Sequence, residues 1–149
     1  DSKKFSVAAT GLGFANGINI SNDGSTLYVA ETIGKQLSIF EVDKTKNDLD
    51  LITAIDFNSG IDNIEIDHEG NLWIGSHPKV YTFSRHMKDA TVLSPSQVYR
   101  FSMDSSGYNI EEVYLNLGEE LSGSTVAAVY GRTILIGSVF EAHFLDCKY

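Results

Sequence analysis

A single cysteine, Cys147, rules out an intrachain disulfide. Basic residues are scarce, with 11 Lys and Arg against 20 Asp and Glu and a net charge of −9. That balance argues against nucleic-acid phosphate as the main partner. It suits either cation binding or a soluble acidic surface. No apolar run approaches the roughly 20 residues of a membrane-spanning helix. The longest, Thr133 to Phe140, is strand-sized. Asp1-Ser2-Lys3-Lys4 leads into no long apolar stretch, so the chain reads without a signal peptide, which leaves secretion open for a processed chain. No segment carries a sustained 3.6-residue apolar stripe. The histidines lack zinc-site spacing, and no Gly-x-Ser-x-Gly nucleophile elbow occurs. Disorder is excluded as well, because hydrophobic residues make up 42% and charged residues only 21%.

What is present is a repeat. An extended apolar segment, a turn and a second apolar segment recur three times. The first copy runs Asn16-Gly17-Ile18-Asn19-Ile20, Ser21-Asn22-Asp23-Gly24, Leu27-Tyr28-Val29-Ala30. The second runs Asp62-Asn63-Ile64-Glu65-Ile66, Asp67-His68-Glu69-Gly70, Leu72-Trp73-Ile74-Gly75. The third runs Ser124-Thr125-Val126-Ala127-Ala128, Gly131-Arg132, Ile134-Leu135-Ile136-Gly137. Ile18 to Ile64 is 46 positions and Ile64 to Val126 is 62. Periods of roughly 40–50 residues with several strands each suggest propeller blades, the third interval being lengthened by an insertion. Propellers close with about four to eight blades, so three are about half of one. An open arc would expose two sheet edges, which predicts a second chain.

Period-two alternation predicts further strands over Phe5–Ala9, Gln36–Phe40, Leu51–Phe57, Val80–Phe83, Gln97–Phe101 and Ile110–Leu115. Asp43–Asp50 reads as a charged turn and Ser84–Ser96, with His86 and Pro95, as an exposed loop. Asp23-Gly24 and Asp67 to Gly70 read as hairpin turns, since they lack EF-hand spacing. Asn19-Ile20-Ser21 is a formal glycosylation sequon inside a predicted inner strand, where modification is not expected.

Asn16 and the pair Asp62-Asn63 stand at equivalent places, just before the first strand of their repeats. In a propeller the start of that strand faces the central channel. Three oxygen-bearing side chains would then converge on one axis, and oxygens of mixed charge suit calcium. The alternative is that these side chains cap turns. Calcium takes about six to eight oxygens, so three make an incomplete shell. His77, between Gly75-Ser76 and Pro78, is either structural or a pocket histidine titrating near neutrality. Cys147 is either a free thiol or an interchain disulfide, and the missing blades favour the disulfide.

The segments Gly13 to Ser21, Ile61 to Ile64, Leu72 to Pro78, Gly123 to Tyr130 and Leu135 to Phe140 resemble, in order, the C-terminal portion of the serum paraoxonase/arylesterase family. The likeness spans nearly the whole chain. It implies an all-β fold, a six-bladed β-propeller with calcium in its tunnel, of which residues 1–149 supply about three blades. It implies hydrolysis of lactones and aryl esters. Asn16, Asp62 and Asn63 fall on family ligands of the catalytic calcium, and His77 on a pocket histidine. Val139 and Phe140 fall on apolar pocket-wall positions. Cys147 falls on the cysteine that closes the propeller by bonding to one near the family's N-terminus. The remaining calcium ligands and the family's catalytic histidine pair belong to the missing half, so the partner would be a second chain carrying that half. Departures from the family lie at Glu141, where members often carry a histidine, and in the loop from Lys79 to Ser96.

Two functions fit these residues. One is a calcium-dependent hydrolase of a small hydrophobic ester or lactone, assembled from two chains. The other is a non-catalytic propeller that binds a lipid, isoprenoid or pigment, or serves as an accessory or chaperone protein. Calcium and a disulfide both point to the extracellular space or secretory lumen, with membrane or lipoprotein association left open.

Overall fold

The computed structural model describes residues 4–46 and 48–148. Three antiparallel sheets follow one another along the chain. The first holds β1 (Ala15–Ile20), β2 (Thr26–Glu31), β3 (Gln36–Asp43) and β4 (Asp48–Asp56) in sequence order. The second holds β5 (Gly60–Ile66), β6 (Leu72–His77), β7 (Ser96–Asp104) and β8 (Gly107–Asn116). The third holds β9 (Ser124–Tyr130), β10 (Thr133–Ser138) and β11 (Leu145–Lys148). The first strands of the three sheets neighbour one another, with β5 between β1 and β9. The three sequence repeats are therefore the β1–β2, β5–β6 and β9–β10 hairpins.

The acidic turns fold as their residues dictate. The Asp23 carboxylate accepts bonds from the Ser21 and Ser25 hydroxyls and the Ser25 amide, and these hold its carboxyl down at about 2. Asp67 accepts from the Glu69 and Asn71 amides, the Asn71 side chain and the Trp73 indole at 2.9 Å each. Both carboxylates are committed to turns. Among the described residues, no group of three or more His, Cys, Asp or Glu side chains could hold a metal ion.

Between the sheets the core forms two layers. Residues alternate across a strand, so β6 serves both. Leu72 and Ile74 join Leu37, Ile39, Ile55 and Ile61 between the first and second sheets. Trp73 points the other way and joins Val98, Leu121, Ile134 and Ile136 towards the third. Polar bonds stitch the same interfaces. Asn19 Nδ2 donates to the Ile64 carbonyl and Thr32 Oγ1 to the Ile61 carbonyl, each at 2.9 Å. Asn19 of the formal sequon is thus engaged between sheets.

Four expectations are corrected. Phe5–Ala9 is no strand, and Phe5 and Val7 lie exposed without a sheet to cover them. Val80–Phe83 is not a strand but most of a helix, α1 (Val80–His86). Its β-branched and aromatic residues favour strand locally, and tertiary contacts of Phe83 override that preference. The segment from Ser84 to Ser96 is not a uniformly exposed loop, because His86, Ser94 and Ser96 are buried. The charged turn is shorter than Asp43–Asp50, since Asp43 and Asp48 already pair across β3 and β4.

Candidate functional site

The first strand of each sheet carries one extra residue at the same place in its repeat. On β1, Ala15 pairs with Glu31 and Ile18 with Val29, which leaves Asn16-Gly17 opposite one residue. On β5, Ile61 pairs with Ser76 and Ile64 with Ile74, which leaves Asp62-Asn63 opposite one. On β9 the break falls between Ser124 and Val126. A β-bulge re-aims side chains and recurs beside active sites. Here it sets Asn16, Asp62 and Ser124 at the same end of three neighbouring strands.

Two of these bulges touch. A Cβ built on Gly17 would lie 2.1 Å from the Asp62 carbonyl oxygen and 2.8 Å from the Asn63 Cα. Only glycine permits that approach, and it brings Asn16 beside Asp62-Asn63. Asn16 is exposed, and its Nδ2 donates to Thr32 Oγ1 at 3.2 Å, so its carboxamide oxygen is left for another partner. Asn63, next along β5, is also exposed. The third bulge differs in chemistry. The Ser124 hydroxyl accepts from the Gln97 amide at 2.9 Å and lies 3.0 Å from the Gln97 carbonyl, tying the third sheet to the second.

Asp62 is buried. Its Oδ2 lies 3.1 Å from His77 Nε2, and its Oδ1 is buried without a hydrogen-bond partner. A carboxylate only accepts, so Nε2 carries the hydrogen, and in the neutral form of the ring the lone pair is on Nδ1. That Nδ1 is also buried and unpartnered. An orphaned buried carboxylate oxygen is costly unless a cation or donor meets it. A hard cation fits it, with Asn16 and Asn63 on the two touching bulges as candidate neutral ligands. The nearby buried Glu31 is not free for that role. Its carboxylate accepts from the Gly13 amide and the Gln36 and Ser38 side chains.

His77 ends β6 and stacks on Phe83 of α1, with ring centroids 3.6 Å apart and planes 13° from parallel. Gly123, with φ of 66°, presses on the other partner: a Cβ there would lie 2.8 Å from the Phe83 ring. Phe140 packs on Phe83 at 6.0 Å and on His86 at 5.8 Å. The structure therefore gathers Asp62, His77 and Phe140 through one aromatic cluster. Val139, beside Phe140, is half exposed. Cys147 lies away from this cluster on β11, opposite Ile134, as a free thiol. Burial pushes its pKa up, with Glu120 and Asp146 adding to the shift.

Phe83 and His86 are site residues that the sequence pattern does not single out. The signal was the three-residue spacing of Val80, Phe83 and His86, which places them along one helical face. Polar neighbours obscured it.

The chain matches the arylesterase family over residues 1–148. It is 39% identical over 141 residues to human serum paraoxonase/arylesterase 1, covering 91% of this chain and 38% of that protein. It is 34% identical over 142 residues to rabbit serum paraoxonase/lactonase 3, covering 93% of this chain and 39% of that protein. The chain thus spans well under half the length of these relatives. Among solved structures, a putative 6-phosphogluconolactonase from Bacteroides fragilis shares the fold with a TM-score of 0.57 at 18% identity, over 85% of this chain and 32% of that one.

Proposed function

Since this chain belongs to the arylesterase family, we propose that it is part of a calcium-dependent hydrolase of lactones and aryl esters. The single observation that carries the calcium reading is the buried, unpartnered Oδ1 of Asp62 beside Asn16 and Asn63. The three sheets would be three blades of a six-bladed propeller. A second chain carrying the N-terminal half would complete both the ring and the calcium shell, with Cys147 linking to it by a disulfide. Secretion, as the word "serum" in the relatives' names suggests, would supply the calcium and oxidising conditions this needs.

When bound, calcium would supply positive charge to polarise an ester carbonyl. The chain's own residues have distinct tasks. Asp62 contributes a charged oxygen and fixes the His77 tautomer through Oδ2. Asn16 and Asn63 contribute neutral oxygens. His77 presents the Nδ1 lone pair, which can accept a hydrogen bond from water or substrate and assist proton transfer. The Phe83 stack holds that ring in place, and Phe140 with Val139 forms an apolar wall for the acyl or aryl group.

The test is Asp62→Ala in the intact protein. Calcium content and hydrolysis of a phenyl ester or a simple lactone should be lost together. Hydrolysis that continues at full rate without bound calcium would sink the proposal. If calcium is retained with no turnover and an apolar molecule co-purifies, the binding-protein alternative holds instead.

A further inference from the structure

Helix α1 ends on a second buried histidine that no step so far uses. His86 is 4% exposed. Its Nδ1 lies 2.9 Å from the Val92 carbonyl oxygen. A carbonyl only accepts, so Nδ1 carries the hydrogen and the neutral ring has a lone pair at Nε2. Nε2 is buried and has no partner. A buried acceptor left bare is unfavourable, and any donor that reaches it restores the lost interaction. The ring meets Phe140 at 5.8 Å with planes at 62°, and Phe140 is 48% exposed. The imidazole that carries the bare acceptor thus adjoins the wall formed by Phe83 and Phe140.

The chemistry of that nitrogen restricts what it can bind. Ester and lactone oxygens only accept, so neutral His86 cannot hold the reacting group itself. It needs a donor. A hydroxyl on a flat apolar ring suits it best, because the ring packs against Phe83 and Phe140 while the hydroxyl points at Nε2. We propose that His86 Nε2 accepts a hydrogen bond from a hydroxyl of the bound ligand, so that the site selects phenolic compounds over hydroxyl-free aromatics. This rests on the reading of the α1–Phe140 face as the substrate wall. A site that hydrogen-bonds a hydroxyl discriminates strongly against the analogue lacking it, because its own polar group is then left unpaired.

The two ring nitrogens can be tested separately in the intact protein. His86→Asn keeps an amide N–H near the place of Nδ1, facing Val92, and removes the acceptor. His86→Gln keeps an acceptor near the place of Nε2 and removes the Val92 anchor. Phenol and toluene, similar in size, are titrated against nitrogen-15-labelled histidine, and their affinities compared. In the unaltered protein phenol should move the His86 Nε2 signal in the direction of hydrogen bonding, and toluene should not. The phenol-to-toluene affinity ratio should fall roughly tenfold or more in His86→Asn and persist in His86→Gln. An unchanged ratio in His86→Asn overturns the proposal. So does an Nε2 already hydrogen-bonded without ligand, or a failure of both compounds to perturb His86. Phenyl ester hydrolysis with and without calcium is read on the same samples. If hydrolysis is absent while the phenol preference holds, the hydrolase reading falls and the hydroxyl site stands. Calcium-dependent hydrolysis with no phenol preference gives the reverse.

Discussion

Gly17 is the residue on which the site's geometry turns. Its missing side chain lets β1 lie against the Asp62 carbonyl, and no rotamer relieves a clash between Cβ and backbone. Gly17→Ala should therefore cost about 2–3 kcal/mol and separate Asn16 from Asp62. A lowered urea midpoint together with weakened calcium binding is the expected result, and a variant of unchanged stability would show that β1 and β5 can part freely. Glu31 makes a second residue-scale case. Burial alone would push its carboxyl up, but bonds from Ser38, Gln36 and the Gly13 amide prevail and hold it below 4.5. Because the folded value is the lower one, the stability it contributes is present above about pH 4.5 and is lost as pH falls through the folded value. Glu31→Ala would leave those donors unmet at a cost of roughly 2–4 kcal/mol. Glu31→Gln should flatten the acid limb of a stability-against-pH curve, and an unaltered limb would refute this role.

At the scale of elements, α1 is held by one stack more than by its own sequence. Seven residues are too few for an isolated helix to persist in water, and the helix has no side-chain cap at its N-terminus. Phe83→Ala should release α1 and let the His77 ring reorient. We expect a loss of about 3 kcal/mol and a change in the His77 ring-proton shifts. Ring signals unmoved by the substitution would mean Asp62 alone fixes the ring. This element also marks where the sequence stops being informative. The hairpins are legible because period-two alternation and the Asp-Gly, Asp-x-x-Gly or Gly-Arg turns agree with each other. The equivalence of Asn16 and Asp62-Asn63 is legible because the repeat aligns them. Val80-Tyr81-Thr82-Phe83 has local strand preference, and its helix depends on a histidine brought from β6. The bulges are invisible for a different reason: an extra residue in a strand is defined only against the partner it fails to pair with. His86 is hidden because the ring it meets, Phe140, is more than fifty positions away.

At the scale of the whole molecule, the arc of sheets ends on two uncovered faces. Ile18 and Ile20 lie exposed on the first sheet, and Leu135 on the third, with Phe144 exposed just before β11. Contiguous apolar area of this kind associates with something. Prepared alone, the 149-residue chain should self-associate, and sedimentation should show species heavier than 16.3 kDa. Replacing Ile18 and Phe144 together with lysine should shift the distribution to lighter species. A chain that sediments as a monomer before substitution would argue that these faces are tolerated by solvent, and the proposal of further blades would lose its physical basis.

The recurrent bulge also has a meaning for how such a protein can change. The interval from the second repeat to the third is longer than that from the first to the second, and the excess includes α1 and the polar stretch after it, between β6 and β7. The added length lies outside the first strands of the sheets, which share the same offset. Ancestry by duplication would thus preserve an address at the centre of every unit, to be occupied by an amide, a carboxylate or a hydroxyl. Lineages could then remodel the wall that meets the ligand, by insertion, with no disturbance to that address.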